Sequence, residues 1–287
     1  MMRRLRLNRH VTERLGFSFL TLMAVVTVVP IVAVVIYILV QGMPAVSWEF
    51  LSGFPRDGMR AGGILPAIVG TFYLTIGTAV FSVPLGIAAA IYLSEYAADN
   101  ALTRLIRIAI INLAGIPSVV YGLFGLGLFV LFLKFGTSIL AASLTLSIMT
   151  LPVIISTAEE ALRAVPQPFR TVSVSLGGTR WQGIQRIVLP QALPGILTGV
   201  ILGLERAAGE TAPILFTGAA FFLPRLPNSP FDATMALPYH LFVISTQVPE
   251  MPPQIQYGTA LVLLVFVLGM NLVATSIRSR ARARRQW

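Results

Sequence analysis

The stretch from Glu160 to Thr217 decides the fold. It reads EALRAVPQPFRTVSVSLGGTRWQGIQRIVLPQALPGILTGVILGLERAAGETAPILFT. Residues 160–190 are polar and rich in proline and glycine, whereas the following segment is mainly apolar and carries only three charged residues, Glu205, Arg206 and Glu210. A charge near the centre of a membrane helix costs at least ~2.5–3.5 kcal/mol, so such charges usually have a function. The stretch therefore predicts an amphipathic loop joined directly to a membrane helix that carries functional charges.

The composition supports a membrane protein. The 287 residues are 56% hydrophobic and 11% charged, with a mean hydropathy of +0.82, whereas soluble domains carry about 25% charged residues. The absence of cysteine excludes disulfide frameworks and thiolate metal sites. The two histidines lack metal-ligand spacing, and no Ser/His/Asp arrangement is placed for covalent catalysis. The net charge of +10 does not indicate nucleic-acid binding, because the arginines flank apolar spans instead of forming a basic groove.

Six apolar segments are long enough to cross a bilayer, which needs ~20 residues per helix. They are residues 17–40, 64–93, 108–133, 137–156, 192–222 and 257–277. The predicted fold class is therefore an all-α membrane protein with six transmembrane helices. We divide the chain into residues 1–63 (N-terminal tail, first helix and outer loop), a core at 64–277 that includes a cytoplasmic loop at 157–191, and a basic tail at 278–287.

The arginines predict the orientation. Most of the 21 basic residues lie in the N-terminal tail, the C-terminal tail and the segments that follow the second and fourth spans. The positive-inside rule then places both termini and the 157–191 loop in the cytoplasm. The first apolar run exceeds the ~7–15 residues of a signal peptide, so we interpret it as an uncleaved helix. We also expect a short amphipathic piece at residues 236–246 to lie along the outer surface.

The 157–191 loop reads as two short helices. Pro166 and Pro168 suit a helix start, Gly177 and Gly178 suit a helix end, and Thr179 with Gln182 has the spacing of a capping box. A connector that lies on the lipid headgroups explains this pattern as well as a docking element does.

The same loop resembles that of ABC importer permeases. Gly177, nine further residues and then Ile187-Val188-Leu189-Pro190 match the family motif. The resemblance implies a coupling helix that docks on a separate ATPase, with contacts from Phe169, Arg170, Gly177, Gly178, Thr179, Arg180 and Trp181. Residues 171–173 are Thr-Val-Ser where the family has Glu-Ala-Ala, so we expect Arg170 or Arg180 to supply the polar contact.

The fifth apolar segment carries a stripe of small residues. Gly195, Gly199, Gly203 and Ala207 recur every four residues, which allows another helix to approach closely. At ~100° per residue, Arg206 and Glu210 lie on or beside this stripe, and Glu205 points elsewhere.

Two roles for these charges remain open. Arg206 and Glu210 form either a structural pair between helices or an anion site in which the guanidinium binds a phosphate-like group. Thr211 adds a hydroxyl beside them, and Pro213 frees the carbonyl of Gly209.

The fifth segment also resembles the PstA family of phosphate-importer permeases. The resemblance rests on residues 206–213, RAAGETAP, followed by LFT at 215–217, and extends to 63–71, 84–87, 92–96 and 115–125. It implies a type I importer fold, phosphate translocation that involves Arg206 and Glu210, and a location in the prokaryotic plasma membrane. The implied partners are a second permease, an ATPase dimer and an extracytoplasmic phosphate-binding protein. This chain would bind no cofactor, and ATP and Mg²⁺ would bind the ATPase.

Three alternatives stay open. The cargo could be another oxyanion. The chain could be an ion-coupled secondary transporter with Glu205 as the coupling carboxylate, or a membrane scaffold that transports nothing. The absence of a Walker motif excludes ATP hydrolysis by the P-loop route.

Overall fold

The computed structural model describes residues 9–175 and 177–283, so residues 1–8, Leu176 and the final part of the basic tail, 284–287, lie outside it. Twelve helices are described: α1 Arg9–Gly42, α2 Trp48–Ser52, α3 Leu65–Ile91, α4 Ala101–Ala114, α5 Ser118–Gly125, α6 Ile139–Arg163, α7 Gln167–Ser175, α8 Arg180–Gly183, α9 Leu189–Gly209, α10 Ala212–Thr217, α11 Leu237–Thr246 and α12 Pro253–Ala283. Wider π-helical turns follow three of them, at Tyr92–Tyr96, Leu126–Phe132 and Ile184–Val188. One antiparallel hairpin pairs β1, Pro55–Arg56, with β2, Ala61–Gly62.

Four of the predicted spans are single long helices, whereas the span predicted over 192–222 is a long helix only as far as Gly209. Within the described residues, the helices long and apolar enough to cross a membrane are Glu13–Ala45, Leu65–Tyr96, Ile139–Arg163, Arg180–Gly209 and Pro253–Arg280. The remaining span is a bent pair, Ala101–Ala114 with Ser118–Phe132, whose axes differ by 102°. The sequence predicted one membrane span over 108–133 and did not indicate a bend. The helix breaks at 115–117 because Pro117 lacks an N–H and disfavours helical geometry in the residue before it.

The helices α3, α6 and α9 form the centre of the molecule. The predicted small-residue stripe of α9 packs on α6, where a Cβ added at Gly195 would lie 2.4 Å from the Cβ of Ala161. Buried threonines on α3, such as Thr75 and Thr78, donate their hydroxyls to backbone carbonyls one turn earlier. Hydroxyls in a membrane helix are satisfied in this way without water.

The first helix lies at the edge of the structure. It packs chiefly on α12, where the rings of Tyr37 and Tyr257 meet edge to face with centroids 5.4 Å apart. The 18-residue window that best identifies α1 as a span has no buried residue. This helix therefore presents apolar side chains outward for most of its length.

The expectation for residues 236–246 is wrong. Helix α11 does not lie along the outer surface, because Leu237, Val243 and Ile244 are fully buried. Its first amide, at Leu237, donates to the hydroxyl of Thr71 on α3 over 2.8 Å. The periodicity resembled that of a surface helix, but long-range packing folds the segment inward.

Candidate functional site

The fifth span is interrupted next to its charges. Helix α9 ends at Gly209, Glu210 has an extended backbone (φ −76°, ψ 138°), and α10 begins at Ala212. Pro213 explains the interruption, since it cannot donate to a carbonyl in the preceding turn and its ring would clash with that carbonyl. Irregular backbone at membrane depth is tolerated only where it is buried in protein or lines a cavity.

Arg206 and Glu210 meet at this break. The Nε of Arg206 lies 3.4 Å from the Oε1 of Glu210, and their side chains are 36% and 17% exposed. The structure therefore brings together the two residues that the helical spacing placed on one face. The guanidinium keeps part of its surface open beside the carboxylate, so it can still bind an anion there.

The surroundings of Glu210 include threonines that the sequence did not single out. A small cavity beside Glu210 is lined by Thr71 and Thr75 of α3 together with Ala207 and Pro238. Threonine is common in membrane helices, so only the fold reveals that these two hydroxyl-bearing side chains border the break in α9.

The other two predicted translocation residues, Glu205 and Thr211, adjoin this pair along the chain. Glu205 is partly buried, and its Oε1 has no hydrogen-bond partner among the described residues. Thr211 is also partly buried, and it precedes α10 without a side-chain cap to that helix. No ion pair within the described residues joins Glu205 to Arg206.

The loop that follows α6 has the predicted two-helix form. Helix α7 ends at Ser175, and Gly177 has a left-handed backbone (φ 78°) that glycine adopts without strain. Thr179 and Gln182 form the predicted capping box, in which the amide of Thr179 donates to Gln182 Oε1 over 2.9 Å. Trp181 follows and is 50% exposed, so an aromatic side chain stands at the tip of the loop.

A continuous helix joins the exposed Trp181 to the site formed by Arg206 and Glu210. Residues Arg180–Gly209 form one helical unit through α8, the π-helical turn and α9. Pro190 and Pro194 lie within that unit, so they do not end the helix. A continuous helix therefore connects Trp181 with Arg206.

Both arginines predicted to contact an ATPase also contact α3. Arg170 Nη2 lies 3.2 Å from Glu95 Oε1 and donates to the carbonyl of Leu162 over 2.7 Å. Arg180 donates to the backbone carbonyl of Glu95 and stands 5.1 Å from the ring centroid of Tyr96. Sequence reasoning missed Glu95, because nothing local in the sequence pairs it with a residue 75 positions later.

Comparisons with known proteins agree with this architecture. The family described as "Binding-protein-dependent transport system inner membrane component" matches residues 82–285. The chain is 32% identical to the probable ABC transporter permease protein YqgI of Bacillus subtilis, with 93% of this chain and 95% of the relative aligned. It is 34% identical to the phosphate transport system permease protein PstA 1 of Mycobacterium tuberculosis, over 99% and 93% of the two chains.

A solved structure shows the same fold. In the crystal structure of a bacterial ABC transporter involved in the import of the acidic polysaccharide alginate, one chain superposes with a TM-score of 0.67 at 14% identity. The superposition covers 95% of this chain and 99% of the other. At that identity the likeness extends to the fold alone.

Proposed function

Because the chain belongs to the family of binding-protein-dependent transport system inner membrane components, we propose that it is the PstA-type permease subunit of an ATP-driven importer of inorganic phosphate. The relatives named as phosphate permeases support this cargo. The observation that carries the proposal is the interrupted α9, where Arg206 and Glu210 meet beside an extended stretch of backbone.

The chemistry of this site suits phosphate. A guanidinium binds phosphate through parallel N–H donors, and the binding is strongest where water is limited. Glu210 holds the Nε edge of Arg206, which leaves the terminal nitrogens for the anion. In this proposal the hydroxyl of Thr211 lines the translocation path, and the carboxylate of Glu205 balances positive charge elsewhere along that path.

The coupling to ATP runs through the 157–191 loop. A separate ATPase dimer binds ATP and Mg²⁺ and contacts the loop through Phe169, Gly177, Gly178, Thr179 and Trp181, of which Trp181 is half exposed. Arg170 and Arg180 contribute from the rim of the same surface. The 30-residue helical unit Arg180–Gly209 then carries the movement to Arg206.

The remaining parts of the proposal concern topology and partners. Residues 64–277 form the permease core, and both termini face the cytoplasm of a prokaryotic cell. A second permease completes the pathway. An extracytoplasmic binding protein delivers phosphate to the outer loop at 41–63 and the outer segment at 223–256.

The test is phosphate uptake by the assembled complex in proteoliposomes. Arg206→Gln is expected to keep assembly and to lower uptake of radiolabelled phosphate at least tenfold, and Arg206→Lys is expected to restore only part of it. Arg104→Gln, which removes an exposed arginine of α4, is the matched control and is expected to transport normally. Normal uptake by Arg206→Gln would disprove the anion site, and uptake of another oxyanion in place of phosphate by the unaltered complex would disprove the cargo.

A further inference from the structure

The cytoplasmic end of α3 holds a buried carboxylate that the proposed function does not use. Glu95 lies on the π-helical turn Tyr92–Tyr96 and is 6% exposed. We propose that Glu95 is the anchor that fastens the coupling loop to the second span, with Arg170 and Arg180 as positioning residues. The inference rests on the proposed function, and it identifies a second route by which movement of the loop reaches the site formed by Arg206 and Glu210.

Arg170 joins three elements at one point. From α7, its guanidinium reaches the carboxylate of Glu95, with Nη2 3.2 Å and Nε 3.4 Å from Oε1. It also donates to the carbonyl of Leu162 in the last turn of α6 and to that of Val165 just after the helix. The side chain is 18% exposed. Removing one partner of a largely buried pair leaves the other charge uncompensated, so this contact resists separation.

Arg180 fastens the other half of the loop to the same place. From the start of α8 it donates to the backbone carbonyl of Glu95, and its guanidinium lies over the ring of Tyr96, 5.1 Å from the centroid. Both helices of the loop therefore contact Glu95, and α8 also contacts Tyr96.

A second acidic residue ties neighbouring helices to this end of α3. Glu159 of α6 accepts from Arg107 of α4 over 2.8 Å and pairs with Arg163 at 3.0 Å. Arg107 also donates to the carbonyl of Leu93 over 2.9 Å. The last turn of α3 is thus attached to α4 and α6 as well as to the loop, so it cannot move alone.

The two routes converge on the charged site. One runs from Trp181 along α8 and α9 to Arg206, and the other runs from Glu95 along α3 to Thr71 and Thr75, which line the cavity beside Glu210. A loop displacement therefore moves both walls of that cavity together. Without the Glu95 contact, α9 would move while α3 stayed behind.

The chain has no cysteine, which permits a direct distance measurement in the assembled complex. Spin labels at Asp99→Cys and Thr171→Cys, both exposed positions, report the separation of the α3 end from α7 by pulsed electron resonance. We expect one narrow distance distribution in the labelled parent and at least a twofold broader one in Glu95→Gln. We also expect phosphate imported per ATP hydrolysed to fall at least tenfold, while ATPase association is retained.

Matched variants separate the ion pair from general damage. Glu13→Gln removes an exposed carboxylate of α1 and is expected to change neither readout. If Glu95→Gln fails to assemble, Glu95→Asp replaces it, because aspartate keeps the charge but its shorter side chain cannot reach the guanidinium of Arg170 at the observed 3.2 Å.

An unchanged distance distribution, or unchanged transport per ATP, in the variant that assembles would overturn the proposal. The distances are measured without phosphate, so they test the anchor even if the complex imports a different cargo. In that case the unaltered complex would fail to import phosphate while the broadening in Glu95→Gln remained.

Discussion

The packing of α9 on α6 gives a graded prediction for alanine substitutions along the small-residue stripe. An added Cβ would lie 2.4 Å from the Cβ of Ala161 at Gly195, and 3.1 Å from the Cγ1 of Ile154 at Gly203. Carbon atoms in contact prefer ~3.5–4.0 Å. Gly195→Ala therefore lacks about 1.1 Å of space and Gly203→Ala about 0.4 Å.

Two opposing energies decide the sign at each position. Overpacking costs ~1–3 kcal/mol, and alanine in place of glycine in a helix gains up to ~1 kcal/mol. At Gly195 the neighbour is a methyl group fixed to the backbone, so the clash wins and we expect a net loss of about 1–2 kcal/mol in the free energy of unfolding. At Gly203 the missing space is only about 0.4 Å, so the gain in helix propensity offsets most of the clash and we expect a change within about 0.5 kcal/mol of zero.

The assay is reversible unfolding of the purified protein in mixed micelles with increasing dodecyl sulfate, followed by circular dichroism. Ala161→Gly in the Gly195→Ala background removes the methyl group of α6 that clashes with the new methyl group on α9. We expect this second substitution to recover at least half of the lost stability. The reasoning fails if Gly195→Ala is as stable as Gly203→Ala, or if the second substitution adds to the damage.

Two further predictions concern the contact between α3 and α11 and the buried histidine of α11. Thr71→Val should cost ~1–3 kcal/mol of unfolding free energy and speed hydrogen exchange at the amide of Leu237, because that buried donor loses its acceptor. Thr75→Val, whose hydroxyl serves only a carbonyl of its own helix among the described contacts, is the control, and an equal loss there would contradict the assignment. Burial lowers the pKa of His240, on α11 outside the spanning helices, from 6.5 to about 4. The folded protein therefore binds fewer protons than the unfolded chain between these values, so stability is complete above pH 6.5 and falls by up to about 3 kcal/mol as the pH approaches 4. Thermal unfolding across this range should show that slope in the parent and a shallower one in His240→Gln, and identical slopes would refute the role of His240.

Local patterns in the sequence predicted features that depend on neighbouring residues. The apolar runs predicted the long helices, and the spacing of Thr179 and Gln182 predicted the capping box that the structure contains. Helical periodicity also placed Arg206 and Glu210 within reach of each other. These features depend on residues three to twenty positions apart, and the rules for such distances follow from the geometry of one helix.

The unpredicted bend had a local cause, Pro117, whereas the misplacement of residues 236–246 arose where distant segments meet. The bend at 115–117 was not expected, and residues 236–246 were placed on the surface although α11 is buried. A short apolar helix has the same pattern on a membrane surface as inside a protein, and the outcome depends on whether α3 offers a partner such as Thr71. That information is not local to residues 236–246.

The sequence by itself determined that this is a membrane protein, where its long helices lie, and that a capped loop leads into a charged span. Only the tertiary structure decided what those elements touch. It set the glycine stripe against Ala161, turned Arg170 toward Glu95, and brought Thr71 beside Glu210. The physical reason is that hydrogen bonds and charges within a helix follow from spacing along the chain. Contacts between helices depend instead on how all the buried faces pack at once.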